Sequence, residues 1–215
     1  MAPKVSEEHM EERRQQILDA AVRSFSRGGL HQTTIEDIRL EAELSRGAVY
    51  HYFKTKEDII DAIRERSAGQ AESIYRGSSD GDDGAANLMS LVDATLSVMT
   101  SPESVEANRL ALFLWAESLV NQRIMDGQLP SFKPYLEQLA RSFAEAQDEG
   151  RADPQVDSQA IARVIAGTML GLQIQLTWEP DMDMDAAGRA LELMLAGKLW
   201  SSDGRASGGS AATGE

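Results

Sequence analysis

The 215-residue chain contains no cysteine. That removes disulfide staples, thiolate catalysis and cysteine-ligated zinc together. Its three histidines, His9, His31 and His51, lie far apart, so no imidazole cluster marks a metal or acid–base centre. Nucleophile elbow, phosphate loop and dinucleotide fingerprint are all missing. Neither a cofactor nor a metal is expected, and enzyme function has nothing to rest on. Long apolar runs are also absent. The longest uninterrupted one is Leu110–Ala116, whereas a bilayer takes roughly 20 residues, and Met1–Glu8 lacks the apolar centre of a signal peptide. A cytoplasmic protein with no membrane partner is the expectation. Sustained alternation of period two does not occur, which argues against a sheet.

Basic residues are scarce overall: 21 Lys and Arg face 35 Asp and Glu, for a net charge of −14. The imbalance is uneven. Residues 1–66 carry 11 basic and 13 acidic side chains, and the remainder carries 10 and 22. Between Ser45 and Lys56 stand Arg46, Lys54 and Lys56 with no acid. Screening confines fields to about 8–10 Å at physiological salt, so a local basic strip on an acidic body still binds phosphate.

An apolar content of 42% supports a buried core, and its periodicity is helical nearly throughout. The first helix spans Glu11–Arg27, with Ile17, Leu18, Ala21 and Phe25 on one face and Gly28-Gly29 as its stop. Thr33 with Glu36 predicts a capping box for a second helix ending near Ala42. Ser45 caps a third helix to about Phe53. Thr55 with Asp58 starts a fourth, running to about Tyr75. Further helices are expected near 85–100, 103–125, 131–149, 156–178 and 184–200, with a break at Asp126-Gly127 and Pro130. The run Asp181-Met182-Asp183-Met184-Asp185 with Glu192 approaches a calcium loop, but Ala186 sits where that loop turns on glycine. Carboxylates at a helix N-terminus are explained by the helix dipole.

The third helix is the most informative element. Val49 and Phe53 face inward with Leu30, Ile35, Ile38, Ala42 and Leu44, while Arg46, Gly47, Tyr50 and His51 face out. In a helix-turn-helix the second helix enters the major groove by its N-terminal end. Arg46 is then the base reader, because its fork matches a guanine edge. Thr33, Thr34, Ser45, Tyr50, His51 and Lys56 are candidates for phosphate contacts. Gly47 and Ala48 keep the face low enough for close backbone approach.

Residues Gln32 to Ile60 resemble the N-terminal domain of the TetR family of transcriptional repressors. The resemblance rests on Thr33-Thr34-Ile35, Asp37-Ile38, Ala42, Leu44-Ser45, Gly47, Val49-Tyr50-His51-Tyr52-Phe53 and Lys56-Glu57. Ile17 to Ala21, Phe25 and Gly28 extend it into the first helix. It implies an all-α homodimer, each subunit carrying a C-terminal ligand-binding and dimerisation domain. Two positions depart from the family pattern. Glu43 stands where glycine is usual in the turn, and Arg39 where a small residue is usual. Glu43 adds a charge repelled by DNA, and Arg39 is expected to offset it by reaching a phosphate.

The division read from the sequence is a three-helix DNA-binding domain over 1–54, a helical effector and dimerisation domain over 55–200, and a disordered tail over 201–215. Ile161–Trp178, with Gly167 and Gly171, and Ala186–Leu199, with Gly188, Leu191, Met194, Leu195, Gly197 and Leu199, are too apolar for one small core and predict a dimer interface. Met89, Met99, Phe113, Trp115, Phe132, Tyr135, Phe143 and Met169 are candidates to line an effector cavity, with Asn108, Glu117 and Gln173 as its polar groups. Glu117 points toward a cationic or amphipathic effector, and the lining in general toward an apolar or amphipathic one. The reading is a ligand-released repressor whose partners are a near-palindromic double-stranded DNA operator and a second copy of itself. A partner-regulated protein of the same fold, and a helical enzyme with a vestigial DNA-binding domain, are the alternatives.

Overall fold

A computed structural model of the chain describes residues 7–77, 83–101 and 104–197, among which every regular element is a helix. The elements are α1 (Glu7–Gln32), α2 (Ile35–Glu41), α3 (Arg46–Tyr52), α4 (Lys56–Gly77), α5 (Gly84–Thr100), α6 (Val105–Ser118), α7 (Gln122–Asp148), α8 (Ser158–Trp178) and α9 (Met184–Leu195). The expected tail, 201–215, lies outside the described residues, as does Leu199.

Helix α1 runs straight until Gly29, whose φ of 72° interrupts it. The α2 cap sits one residue later than the sequence predicts. Thr34, not Thr33, has the extended cap backbone, and Asp37, not Glu36, closes the box. The reason is local: the Thr33 hydroxyl donates back to the Gly29 carbonyl at 2.8 Å, which leaves Thr33 only 4% exposed. Ser45 caps α3 as expected, accepting from the Ala48 N–H. The Thr55–Asp58 box also forms, the Asp58 carboxylate accepting from the Thr55 N–H at 2.9 Å and the Thr55 hydroxyl from the Asp58 N–H at 3.1 Å.

The largest departure from the predicted boundaries concerns α7. The chain does not break at Asp126 to Pro130. It breaks at Leu119 to Asn121, and α7 then runs unbroken with Pro130 and Pro134 inside it. Asn121 has extended backbone and caps the new helix, its side chain accepting from the Ile124 N–H. Both prolines are exposed, on the side of a helix where solvent can make up for a missing intrahelical hydrogen bond. Gly127, by contrast, is crowded from outside its own helix. A Cβ there would lie 1.2 Å from Nη2 of Arg64, whose guanidinium crosses from α4 and donates to Asp61 at 2.8 Å. The other Asp61 oxygen accepts from Arg123 on α7 at 2.6 Å.

Two apolar clusters hold the helices together. The first joins Ile17, Leu18 and Phe25 of α1 to Ile38, Val49, Phe53 and Ile59, and takes in Leu110, Leu114 and Ile124 from α6 and α7. The second packs Leu91, Leu139, Ile165, Met169 and Leu191 from α5, α7, α8 and α9. Each such side chain stabilises the fold by about 1.5–3 kcal/mol relative to exposure. Within the expected interface region, Leu191 and Gly188 turn inward instead, Gly188 lying directly against Leu96 of α5.

The other side of α8 and α9 has no cover among the described residues. Val164 is 62%, Trp178 75% and Met194 58% exposed. Built Cβ atoms on Gly167 or Gly171 meet nothing within 4 Å. By length and composition alone, α8 is apolar enough to cross a bilayer. Uninterrupted apolar runs do not reveal this, because Arg163, Thr168 and Gln173 punctuate the helix without making it polar.

Candidate nucleic-acid interface and ligand cleft

The outward face of α3 presents Ser45, Arg46, Gly47 and His51 exposed, with Ala48 and Tyr50 partly so. Val49 is fully buried beneath them and Phe53 nearly so. Those two inward residues orient the whole helix. The Arg46 guanidinium lies 5.6 Å from the centroid of the Tyr50 ring, close enough for a cation–π contact that restricts the arginine before any ligand arrives. His51 meets Tyr52 edge-on at 5.1 Å. Lys54, which the motif reading did not select, donates to the Tyr50 carbonyl at the end of the same face.

Three of the candidate phosphate ligands have other engagements. Thr33 is buried, as described. Lys56 directs its ammonium to the end of α1, donating to the carbonyls of Leu30 at 2.7 Å and Thr33 at 3.2 Å. Arg39 donates through Nε and Nη2 to Glu36 at 3.0 and 2.8 Å and through Nη1 to the Leu44 carbonyl at 2.8 Å. Thr34 is exposed but closes the α2 box, and its hydroxyl holds the Asp37 carboxyl below the ordinary carboxylate range.

In the body a cleft of about 390 Å³ opens where the ends of α5 and α8 meet the starts of α6 and α9. Met99, Leu176, Met182 and Met184 form its apolar part, Asn108 and Thr177 its neutral polar part, and Arg109, Asp183 and Asp185 its charged part. Asn108 is fixed there, donating to the Met99 carbonyl at 2.7 Å and accepting from Gln173 at 3.2 Å. Asp183, from the would-be calcium loop, caps α9 by accepting from the Ala186 N–H at 2.8 Å. Among the described residues no group of His, Asp and Glu is placed to hold a metal ion.

Comparison with known proteins agrees with this geometry at both ends of the chain. Residues 17–63 match the family described as bacterial regulatory proteins, tetR family, and residues 84–199 match the C-terminal domain of BetI-type transcriptional repressors. The chain belongs to the TetR family of transcriptional regulators. An HTH-type regulator of Bacillus subtilis, YfiR, is 43% identical over 65 residues, a match that spans 30% of this chain and only 32% of that relative. A solved transcriptional regulator from Saccharomonospora viridis, in complex with choline, is 25% identical, covers 84% of this chain and 94% of its own, and superposes with a TM-score of 0.73. The SmeT–triclosan complex is 28% identical, with coverages of 90% and 93% and a TM-score of 0.69.

Within this TetR-type body, only Met99 and Asn108 of the eleven nominated effector residues line the cleft, with Gln173 behind Asn108. Trp115, Phe132 and Tyr135 pack on one another, at 5.1 and 6.2 Å between ring centroids, and burial pushes the Tyr135 hydroxyl above its ordinary pKa. Met169 is core, Phe143 packs partly buried against the same cluster, and Met89 is partly buried. Phe113 is exposed. Glu117 does not face the cleft. Its carboxylate accepts from Asn121 at 3.2 Å and meets His31 Nε2 at 2.8 Å, and those contacts, Asn121 first, hold its pKa below the usual carboxylate value. Helical spacing identifies apolar residues but not which of two cores they enter. The cleft residues missed, Leu176, Met182 and Met184, flank the Glu179-Pro180 break, and that break was their one visible signal.

Proposed function

We propose that this TetR-family regulator is a ligand-responsive repressor that works as a homodimer. The α3 helix of each subunit enters one major groove of a near-palindromic operator, with Arg46 on a base edge and Ser45, Tyr50 and His51 on phosphates. The observation that carries this reading is the exposed Ser45–His51 face held over a closed core. The uncovered side of α8 and α9 supports a second subunit as its cover, and we favour that cover over lipid in a cytoplasmic protein. The functional division keeps the DNA-binding head at 1–54 and the effector and dimerisation body at 55–200.

For the effector, the methionine-lined cleft with charged groups at its edge suits a small apolar or amphipathic molecule. That triclosan and choline occupy two solved relatives is compatible with such chemistry. Helix α6 links the cleft to the head. Asn108 and Arg109 line the cleft, and Glu117 two turns on meets His31 at the end of α1. A ligand that binds one α6 position better than another shifts the head by that difference in affinity.

Arg46→Ala and Tyr50→Ala are expected to leave the dimer folded and to abolish gel-shift of an operator recovered by in vitro selection. Retained binding of that duplex by both variants would falsify the assignment of α3. The assay is run across salt concentrations, since phosphate contacts make affinity salt-dependent.

A further inference from the structure

We propose that Arg39 is a brace for the turn between α2 and α3, holding Glu43 in a left-handed conformation so that the reading helix is set before DNA arrives. The inference rests on the DNA-binding reading of α3 and adds a positioning residue that does not itself touch the operator.

Two departures from the family pattern meet here. Glu43 has a φ of 54° and is the one non-glycine residue at positive φ among those described. An L side chain in that region crowds the following carbonyl, which is why turns of this shape favour glycine. A strained residue persists only where its surroundings over-determine it. Arg39 supplies that constraint from both directions. Its own carbonyl accepts from the Leu44 N–H at 3.2 Å, and its Nη1 donates to the Leu44 carbonyl at 2.8 Å. Both polar backbone groups of the residue after Glu43 are therefore tied to one side chain's residue. The guanidinium is anchored in turn, Nε and Nη2 both donating to Glu36 Oε1, and this fork holds the Glu36 carboxyl below its ordinary range. The next residue, Ser45, is the cap of α3. A turn free to relax at Glu43 would swing that cap, and with it Arg46 and Tyr50.

A small side chain at position 39 has no such reach, and glycine at position 43 has no need of it. The two unusual residues are thus one device, in which the brace compensates for the missing glycine. An arginine held by Glu36 and Leu44 is also poorly disposed to serve as a phosphate ligand.

The test uses the full-length protein in six forms: wild type, R39A, E43G, E43Q, R39A/E43G and R39A/E43Q. Each is titrated with a duplex recovered by selection on the wild type, across a range of salt. R39A is expected to bind about tenfold more weakly, with the slope of log affinity on log salt unchanged. R39A/E43G is expected within about twofold of E43G, because glycine adopts the turn unaided. R39A/E43Q is expected to stay about tenfold weaker than E43Q, because glutamine removes the charge and keeps the strain. A salt slope shallower by about one unit in R39A, with no rescue by glycine, would show a phosphate ligand and overturn the proposal. Rescue by E43Q as complete as by E43G would overturn it too, by showing charge compensation. Amide exchange on DNA-free protein separates this inference from the function it rests on. The Leu44 amide should exchange faster in R39A and recover in R39A/E43G. Unchanged exchange sinks the brace even where DNA binds, and if wild type recovers no duplex while exchange responds as expected, the DNA reading fails and the brace stands.

Discussion

The head and the C-terminal helices dispose of their apolar surface in opposite ways. In the head, Phe25, Ile38 and Val49 close on one another and on Ile59, and the α3 face is left to Ser45, Arg46, Gly47 and His51. In α8 and α9, Ile165, Met169 and Leu191 close inward, yet Val164, Trp178, Leu193 and Met194 remain outside. A module that buries its own apolar residues can offer a polar face to a polyanion. A module that leaves Val164, Trp178, Leu193 and Met194 outside suits the second subunit proposed as their cover. The same chain thus carries one surface suited to DNA and one suited to a second subunit.

That contrast can be broken at three places. The largest effect is expected from Phe25→Ala. Phe25 is fully buried, so its loss should cost about 3–5 kcal/mol, seen as a lower denaturant midpoint, and a head that tolerated it would not be the closed module described. Gly171→Arg comes next. It faces open space within one subunit, so helix content should persist while sedimentation shifts from dimer to monomer, with association weakened by at least about a hundredfold, as for a buried unpaired charge. A variant that stays dimeric would place the interface elsewhere. The smallest effect is expected from Thr34→Ala, about 1 kcal/mol for a lost N-cap, measured by thermal unfolding. The same box predicts a pH response. Asp37 and Asp58 have carboxyl pKa values lowered by Thr34 and Thr55 respectively, so their stabilisation is present above the ordinary carboxylate range and fades as pH falls through the lower folded values. Thr34→Ala should therefore flatten the acid limb of head stability, and an unaltered limb would put the acid sensitivity elsewhere.

The head was legible because its signals are local. Ser45 as a cap, the Thr55–Asp58 box and the inward pair Val49 and Phe53 all act within a turn or two of helix. Even there the α2 cap was misplaced by one residue, since Thr33 turns inward to donate to the Gly29 carbonyl and Thr34 takes the extended cap backbone. The body was legible as helices but not as a site. Asp126-Gly127 and Pro130 read as a break, but α7 runs through them, with Pro130 exposed on its surface. Glu117 read as a cavity acid, and only the packing of α6 against α1 brought it to His31. Gly127 read as part of that break, whereas in the fold the Arg64 guanidinium occupies the space a side chain there would need.

By itself the sequence determined the helical class, the helix α3 and which of its residues face outward, because period, caps and breakers are properties of neighbouring residues. Tertiary structure decided the rest: which nominated aromatics are packed in the core, where the cleft opens, and which candidate side chains have partners within the fold. Lys56, Arg39 and Glu117 each look available in a one-dimensional pattern. Lys56 and Glu117 also meet Leu30 and His31 of α1, and Arg39 meets Leu44 across the turn, contacts that no local period records beside the helical-spacing partners Glu36 and Asn121.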